Sequence, residues 1–221
     1  MKKTIKLFLA VAILMIPLSQ LSGTDLGLDV KGTETFKLNH DVSKPELKFK
    51  STAPLEDIEG YVVSDHITSS VMFDPGNVES ASGEVVFKVA GMRTGIDVRD
   101  EHLRSSDWLN AEKHPEVTFK LNSLKDVESI ESKGIRATAK AIAVGEFTMH
   151  RESKEMQIPV KITFLKESEA TAKRAPGHLF FVEGSFKVAL KDFKVKGSKG
   201  VVGSKVGEEI DVNFKLYYNS I

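Results

Sequence analysis

From about residue 34 onward, apolar and polar residues alternate with a period of two, the mark of strands with one buried face. In "MQIPVKITFLK", Ile158, Val160, Ile162 and Phe164 alternate with Gln157, Pro159, Lys161 and Thr163. "PELKFKS" sets Leu47 and Phe49 against lysines, and "GEVVFKVAG" sets Val85, Phe87 and Val89 against Val86 and Lys88. "HPEVTFKLNS" presents Val117, Phe119 and Leu121, "GSFKVALKDF" presents Phe186, Val188 and Leu190, and "EEIDVNFKLYYNS" presents Ile210, Val212, Phe214, Leu216 and Tyr218. Gly, Pro, Asn and Asp clusters separate these runs, as in "FDPGN". So many successive antiparallel strands must bury their apolar faces together and protect their edges. They can do so by closing into a barrel or stacking into a sandwich. Pro159 has no N–H to give a ladder, so it marks an edge, a bulge or an outward carbonyl position.

The chain has no cysteine among its 221 residues, which excludes disulfides, thiolate metal sites and a thiol nucleophile. Its core must therefore supply its stability, and its length suffices for one sizeable domain. Lys2, Lys3 and Lys6 precede the apolar run "LFLAVAILMIPL", which falls short of the ~20 residues a membrane-spanning helix needs. Residues 1–23 are predicted to be a secretory signal peptide, with an uncleaved anchor as the alternative. Residues 24–33 are predicted to be a linker. Basic and acidic residues balance at 31 each, so losing those lysines leaves a mildly acidic chain with no sign of a nucleic-acid partner.

One segment breaks the alternation. "GIDVRDEHLRSSDWLNAEKHP" carries apolar residues at Val98, Leu103, Trp108, Leu109 and Ala111, and Pro115 stops any helix. The pattern predicts a short helical insertion around residues 97–113, with Asp97 as N-cap and a break near Ser105 and Ser106. Its polar residues suggest three readings. His102 and His114 with Asp100 and Asp107 could be metal ligands, but Asp100 and His102 point about 200° apart on a helix. Ser105 and Ser106 beside His102 could suggest a hydrolase, yet no G-x-S-x-G elbow exists and such hydroxyls ordinarily cap helices. The favoured reading is a network of caps and ion pairs, with Arg99 and Arg104 finding carboxylates within one turn and Leu103 and Trp108 as apolar anchors.

An eight-stranded barrel is just wide enough to hold a small ligand. The inward faces here are rich in Phe, Ile, Val and Leu. If hollow, the barrel suits a lipid or another long apolar ligand; on pattern alone a filled core is the simpler reading. The segment "KDFKVKGSKGVVGSK" gathers Lys191, Lys194, Lys196, Lys199 and Lys205, but its spacing is not that of a phosphate loop. It reads first as a solvated hairpin loop, with an anionic lipid head or a transient membrane-surface contact as the alternative. His150 to Glu152 read as a tight strand connection, and His178 as a rim histidine.

Three stretches together carry a family resemblance: "FDPGNVESASGEVVFKV", "RDEHLRSSDWLNAEKHPEVTF" and "VGEFTMH". They resemble the YceI-like family of exported, lipocalin-like proteins described as polyisoprenoid-binding. The recurrent pattern corresponds to Arg99, Asp100, His102, Leu103, Arg104, Ser105, Asp107 and Trp108. It continues through Lys113, Pro115, Val117, Thr118 and Phe119. The chain departs from the family pattern at "STAPLEDIEG", at Arg151 after His150, and at "VALKDFKVKG".

The resemblance implies an all-β, lipocalin-like antiparallel barrel of about eight strands over residues 34–221. It implies an elongated apolar cavity that takes an isoprenoid or another long-chain amphiphile, with no catalytic residue, cofactor or metal. The candidate lining residues are Phe49, Val71, Phe73, Phe87, Phe119, Ile142, Ile162, Phe164, Phe186 and Phe214. Periplasmic or extracellular placement follows from the signal peptide. The alternatives are an envelope interaction module with a filled barrel and, more remotely, an enzyme centred on His102. Oligomeric state, a homodimer included, is left open.

Overall fold

The computed structural model describes residues 23–221. The predicted signal peptide therefore lies outside the described residues, apart from Gly23.

The strands follow the alternation. They are β1 (Glu34–Leu38), β2 (Glu46–Thr52), β3 (Asp57–Val62), β4 (Ile67–Phe73), β5 (Ser82–Lys88), β6 (Met92–Arg93), β7 (Glu116–Lys133), β8 (Arg136–Met149), β9 (Glu152–Leu165), β10 (Leu179–Ala189) and β11 (Glu209–Ser220). Helix α1 (Asp97–Arg104) lies between β6 and β7, and the one-turn α2 (Glu169–Ala172) between β9 and β10. Eight strands, all antiparallel to their neighbours, close a ring in the order β1-β4-β5-β7-β8-β9-β10-β11 and back to β1. Closure removes the free edges that a long meander would otherwise expose.

Two departures from a regular barrel shape what it can hold. Along one edge β11 changes partner. Its last residues, Tyr218 to Ser220, pair with β1, whereas Ile210 to Lys215 pair with β2, which continues into β3 and β6. The wall is thus closed at one end and splayed at the other. Two strands along the ring, β9 pairs with β10 only from Val160 to Leu165. Pro159 stands where that ladder stops, which realises the edge position its missing N–H requires. Beyond it, a short helical turn at Leu190–Phe193 lies beside β9, tied by Lys154–Asp192 at 2.8 Å and Lys194–Glu152 at 2.7 Å. The β8–β9 connection is a two-residue turn at His150 and Arg151, both with positive φ, the hairpin geometry that follows strand twist.

The closed end is filled. Phe36, Phe73 and Phe164 have no exposed surface, and Phe180 and Tyr218 pack against them. The phenol of Tyr218, fully buried, meets the Ser69 hydroxyl at 2.9 Å. Burial pushes that phenol well above its ordinary range, against the lowering effect of the Ser69 contact, so it stays neutral. Within residues 24–33, expected as a linker, three side chains instead join the core, while Lys31 to Thr33 are exposed. Leu26, Leu28 and Val30 are buried in alternation across the closed end, and Leu26 N–H donates to the Pro75 carbonyl at 2.8 Å. The reason is local: "LGLDV" alternates too, and the barrel end offers an apolar surface to cover. His178 sits at this rim, its Nδ1 accepting from Glu167 N–H at 2.8 Å and its Nε2 3.4 Å from Glu34.

Candidate functional site

At the splayed end, helix α1 bridges the widened wall. It starts one residue earlier than an Asp97 cap would require. Ile96 occupies the N-cap position with no side-chain cap, and Asp97 is the first helical residue. The expected Asp97 cap is therefore absent. Asp100 does the anchoring instead. Its carboxylate is buried and accepts from the Thr94 N–H at 2.7 Å and the Thr94 hydroxyl at 2.6 Å. A buried carboxylate needs such donors, and the loop entering the helix supplies them. Arg99 donates through Nε to Thr94 Oγ1 at 3.0 Å and reaches Glu56 at 2.7 Å. Arg104 donates to the Met92 carbonyl at 3.3 Å. The arginines thus tie the helix to β6 and to the β2–β3 turn, rather than to carboxylates within one turn. Ser105 donates to the His102 carbonyl at 2.7 Å and closes the helix, which ends at Arg104 and gives way to turns through Lys113.

Helical spacing then sorts the side chains by face. Val98, Arg99, His102 and Leu103 line a cavity, while Asp97 and Glu101 lie exposed on the opposite side. Asp100 turns to Thr94 and His102 to the cavity, so the two do not converge on a common point.

That cavity measures about 550 Å³, within the ~300–1,000 Å³ of small-molecule sites. Leu47, Phe49 and Ile58 from β2 and β3 form one wall, and Phe147, Met149, Phe186 and Val188 from β8 and β10 another. Ile210 and Val212 of β11 join them, with Trp108, Leu103 and Val98 above. The loop from Val195 to Val206 completes the enclosure. Polar groups are few: Ser51, Glu56, Thr94, Arg99, His102, Ser198 and Lys205. Ser51 is already engaged, accepting from the Gly207 N–H at 2.8 Å. The Trp108 ring abuts Gly197, where a Cβ would come within 2.6 Å of it, and Gly197 has φ +62. Only glycine fits both the left-handed backbone and the contact.

A second, smaller void of about 100 Å³ continues toward the barrel centre, lined by Val71, Phe119, Ile162, Val182 and Phe214 among others. Leu47, Phe87, Phe147 and Phe186 border both spaces.

The ten candidate residues therefore fall into three groups. Phe49, Phe87 and Phe186 line the larger cavity. Val71, Phe119, Ile162 and Phe214 line the smaller void, together with Phe87 and Phe186 again. Phe73, Phe164 and Ile142 line neither. The first two belong to the solid aromatic packing at the closed end. Ile142 is half-buried on the outer face, because its neighbours Ala141 and Ala143 take the inward positions. Leu47, Ile58, Val98, Leu103, Phe147 and Val212 also line the larger cavity and were not among the ten. Leu47 and Val212 were visible as inward positions, but period two tells inside from outside, not height along the barrel.

Residues 36–218 match the YceI-like domain family. The chain belongs to this family. Among curated YceI relatives, Protein YceI of Escherichia coli O6:H1 is 29% identical over 141 residues, 63% of this chain and 65% of that protein. The match thus spans just under two thirds of that relative's length. A UPF0312 protein of Azotobacter vinelandii is 28% identical over 145 residues, 65% of this chain and 67% of the relative. Two solved structures share the fold. Burkholderia cenocepacia BcnA aligns with a TM-score of 0.61 at 19% identity, covering 80% of this chain and 98% of that one. A structure described as a polyisoprenoid binding domain from Saccharophagus degradans implicated in plant cell wall breakdown aligns at 0.60 and 12%, covering 84% and 98%.

Proposed function

We propose that this YceI-like barrel is an exported, non-enzymatic protein that sequesters or carries an isoprenoid or another long-chain amphiphile. The observation that carries the reading is the 550 Å³ cavity, apolar within and polar only in a handful of side chains. Each methylene moved from water into such a space gains ~0.8 kcal/mol, so a long tail binds tightly with few specific contacts. The same physics gives weak discrimination between similar tails. The fold shared with a polyisoprenoid binding domain supports the choice of ligand class. Export rests on the basic start and short apolar run of residues 1–23. Among the described residues, no helix is long and apolar enough to cross a membrane.

Ile96 and Val98 line the cavity and are 52% and 62% exposed. Such residues fit transient contact with a lipid surface during loading. An envelope module with a filled barrel is the competing reading, and a void of this size speaks against it. Extraction of the purified protein followed by mass spectrometry is expected to release a prenyl lipid, a quinone or a comparable amphiphile. Native mass spectra should show it bound at one per chain. A protein that comes out empty and takes up neither prenyl lipids nor quinones sinks the proposal.

A further inference from the structure

We infer that Leu47, Phe87, Phe147 and Phe186 form a septum across the barrel that sets the longest tail the protein takes. This rests on the carrier reading above and specifies the length of its ligand.

These four side chains border both the 550 Å³ cavity and the 100 Å³ void that lies toward the closed end. They come from β2, β5, β8 and β10, each strand separated from the next along the wall by a single other strand. Inward side chains from alternate strands form a layer across a barrel, whereas side chains from neighbouring strands only thicken one wall. The layer is also held in place. Phe147 is buried and takes edge-on contacts from Phe186 at 5.6 Å and from Phe193 at 5.4 Å. Phe186 in turn meets Phe214 edge-on at 6.3 Å.

The space behind this layer has its own cause. Two residues toward the closed end from Phe147 and Phe186, the next inward positions are Gly145 and Gly184. A Cβ at Gly145 would come within 2.8 Å of the Phe119 ring, and one at Gly184 within 2.7 Å of the Phe214 ring. Both rings therefore lie over glycine, close against the wall, and leave the lumen beyond the septum unfilled. Further in there is no room. Phe180 and Tyr218 border the void and pack into the aromatic group of the closed end. From the splayed end inward the barrel is thus hollow, narrowed, hollow again and then solid. A tail entering there fills the larger cavity and stops at the septum. Any surplus length stays in water, where it gains nothing.

The test is a series of prenyl alcohols lengthened one isoprene unit at a time, from geraniol through geranylgeraniol to solanesol, binding to the purified protein. Trp108, the single tryptophan, lines the cavity and reports binding by its fluorescence. Each methylene that leaves water tightens binding about fourfold, so each isoprene unit that fits should lower Kd by at least about tenfold. In the wild-type protein this gain is expected to cease partway through the series. Phe186→Ala opens the septum and should carry the gain at least one unit further, so that the first prenol past the wild-type limit binds about tenfold more tightly. Phe87→Ala, on β5, should do the same by an independent route. Val182→Phe refills the void from behind, and in the Phe186→Ala background it should cancel the shift. Affinity that climbs through the whole wild-type series overturns the septum and leaves the carrier reading standing. So does a limit that neither alanine variant moves, or a shift that Val182→Phe fails to cancel. Binding of no prenol at all overturns the two together.

Discussion

Where β11 pairs with β1, aromatic rings fill the barrel. Phe73 and Phe180 stack at 4.9 Å, and Phe36 meets Phe73 and Phe164 at 6.1 Å each. Where β11 pairs with β2 instead, Phe49, Phe147 and Phe186 surround a void of 550 Å³. The residue types at the two ends are the same. What differs is the perimeter they must fill. At the closed end eight strands converge and Leu26, Leu28 and Val30 lie across the opening. At the other end β2, β3 and β6 carry the wall outward, and α1 and the lysine-rich loop bridge the gap without plugging it. A cavity in this family member is thus a consequence of strand pairing more than of composition.

Truncation should separate the two ends most strongly. Phe36→Ala removes a ring from close packing with three others and is expected to cost about 3–5 kcal/mol in urea unfolding. Phe186→Ala, half-buried beside both voids, should cost clearly less, about 1–2 kcal/mol, because the space it leaves is already bounded by one. Similar losses at both positions would mean that the splayed end is as tightly packed as the closed one.

Enlarging a side chain should give the opposite asymmetry. Ala137→Phe forces a ring into a site with no exposed surface opposite Phe164, and overpacking of that kind costs about 1–3 kcal/mol. Val212→Phe grows into the larger cavity instead. It should leave the melting temperature nearly unchanged while weakening geranylgeraniol binding by about tenfold, since it occupies the tail's space. A large melting loss for Val212→Phe, with binding intact, would contradict a void at that site.

Gly197→Ala probes the bridge over the hollow end. A left-handed residue with a Cβ costs about 1–2 kcal/mol, and this Cβ also meets the Trp108 ring. The expected signature is a red-shifted tryptophan emission together with that modest loss.

The smallest effect concerns pH. His114 stacks edge-on against His150, with ring centroids 4.6 Å apart. Desolvation, then the charges of His150, Arg151 and Lys113, hold the His114 imidazole below its ordinary value of 6.5. In the unfolded chain it takes a proton at that value, so below it the unfolded state binds more protons than the folded one. Stability is therefore complete above about 6.5 and declines as pH falls below it. NMR titration of His114 should show the lowered midpoint, and His150→Gln should move it upward. An unchanged midpoint in that variant would remove His150 as a cause.

Much of the barrel was legible because period two is local. Ile158, Val160, Ile162 and Phe164 are inward in the sequence and inward in the fold, and the break at "RDEHLRSSDW" marked the helical insertion between β6 and β7. Leu103 and Trp108 were also readable as its apolar anchors, and both face the cavity. Less legible were partners set by long-range pairing. Arg99 reaches Glu56 across the β2–β3 turn, and nothing in the spacing of the helix points there. Ile142 looked like an inward residue of an apolar run, but the alanines around it hold the inner face.

The order of the strands along the chain, their inward faces, the absence of disulfides and the family signature follow from the amino-acid sequence itself, because each depends on neighbours or on composition. The location and size of the hollow were decided only in three dimensions. They depend on β11 dividing its edge between β1 and β2, on residues 24–30 covering one opening and not the other, and on the height each inward side chain reaches along the barrel. Alternation carries no information about height. Two phenylalanines on the same face of the same pattern can therefore lie, like Phe164 and Phe49, in a solid core and in the wall of a cavity.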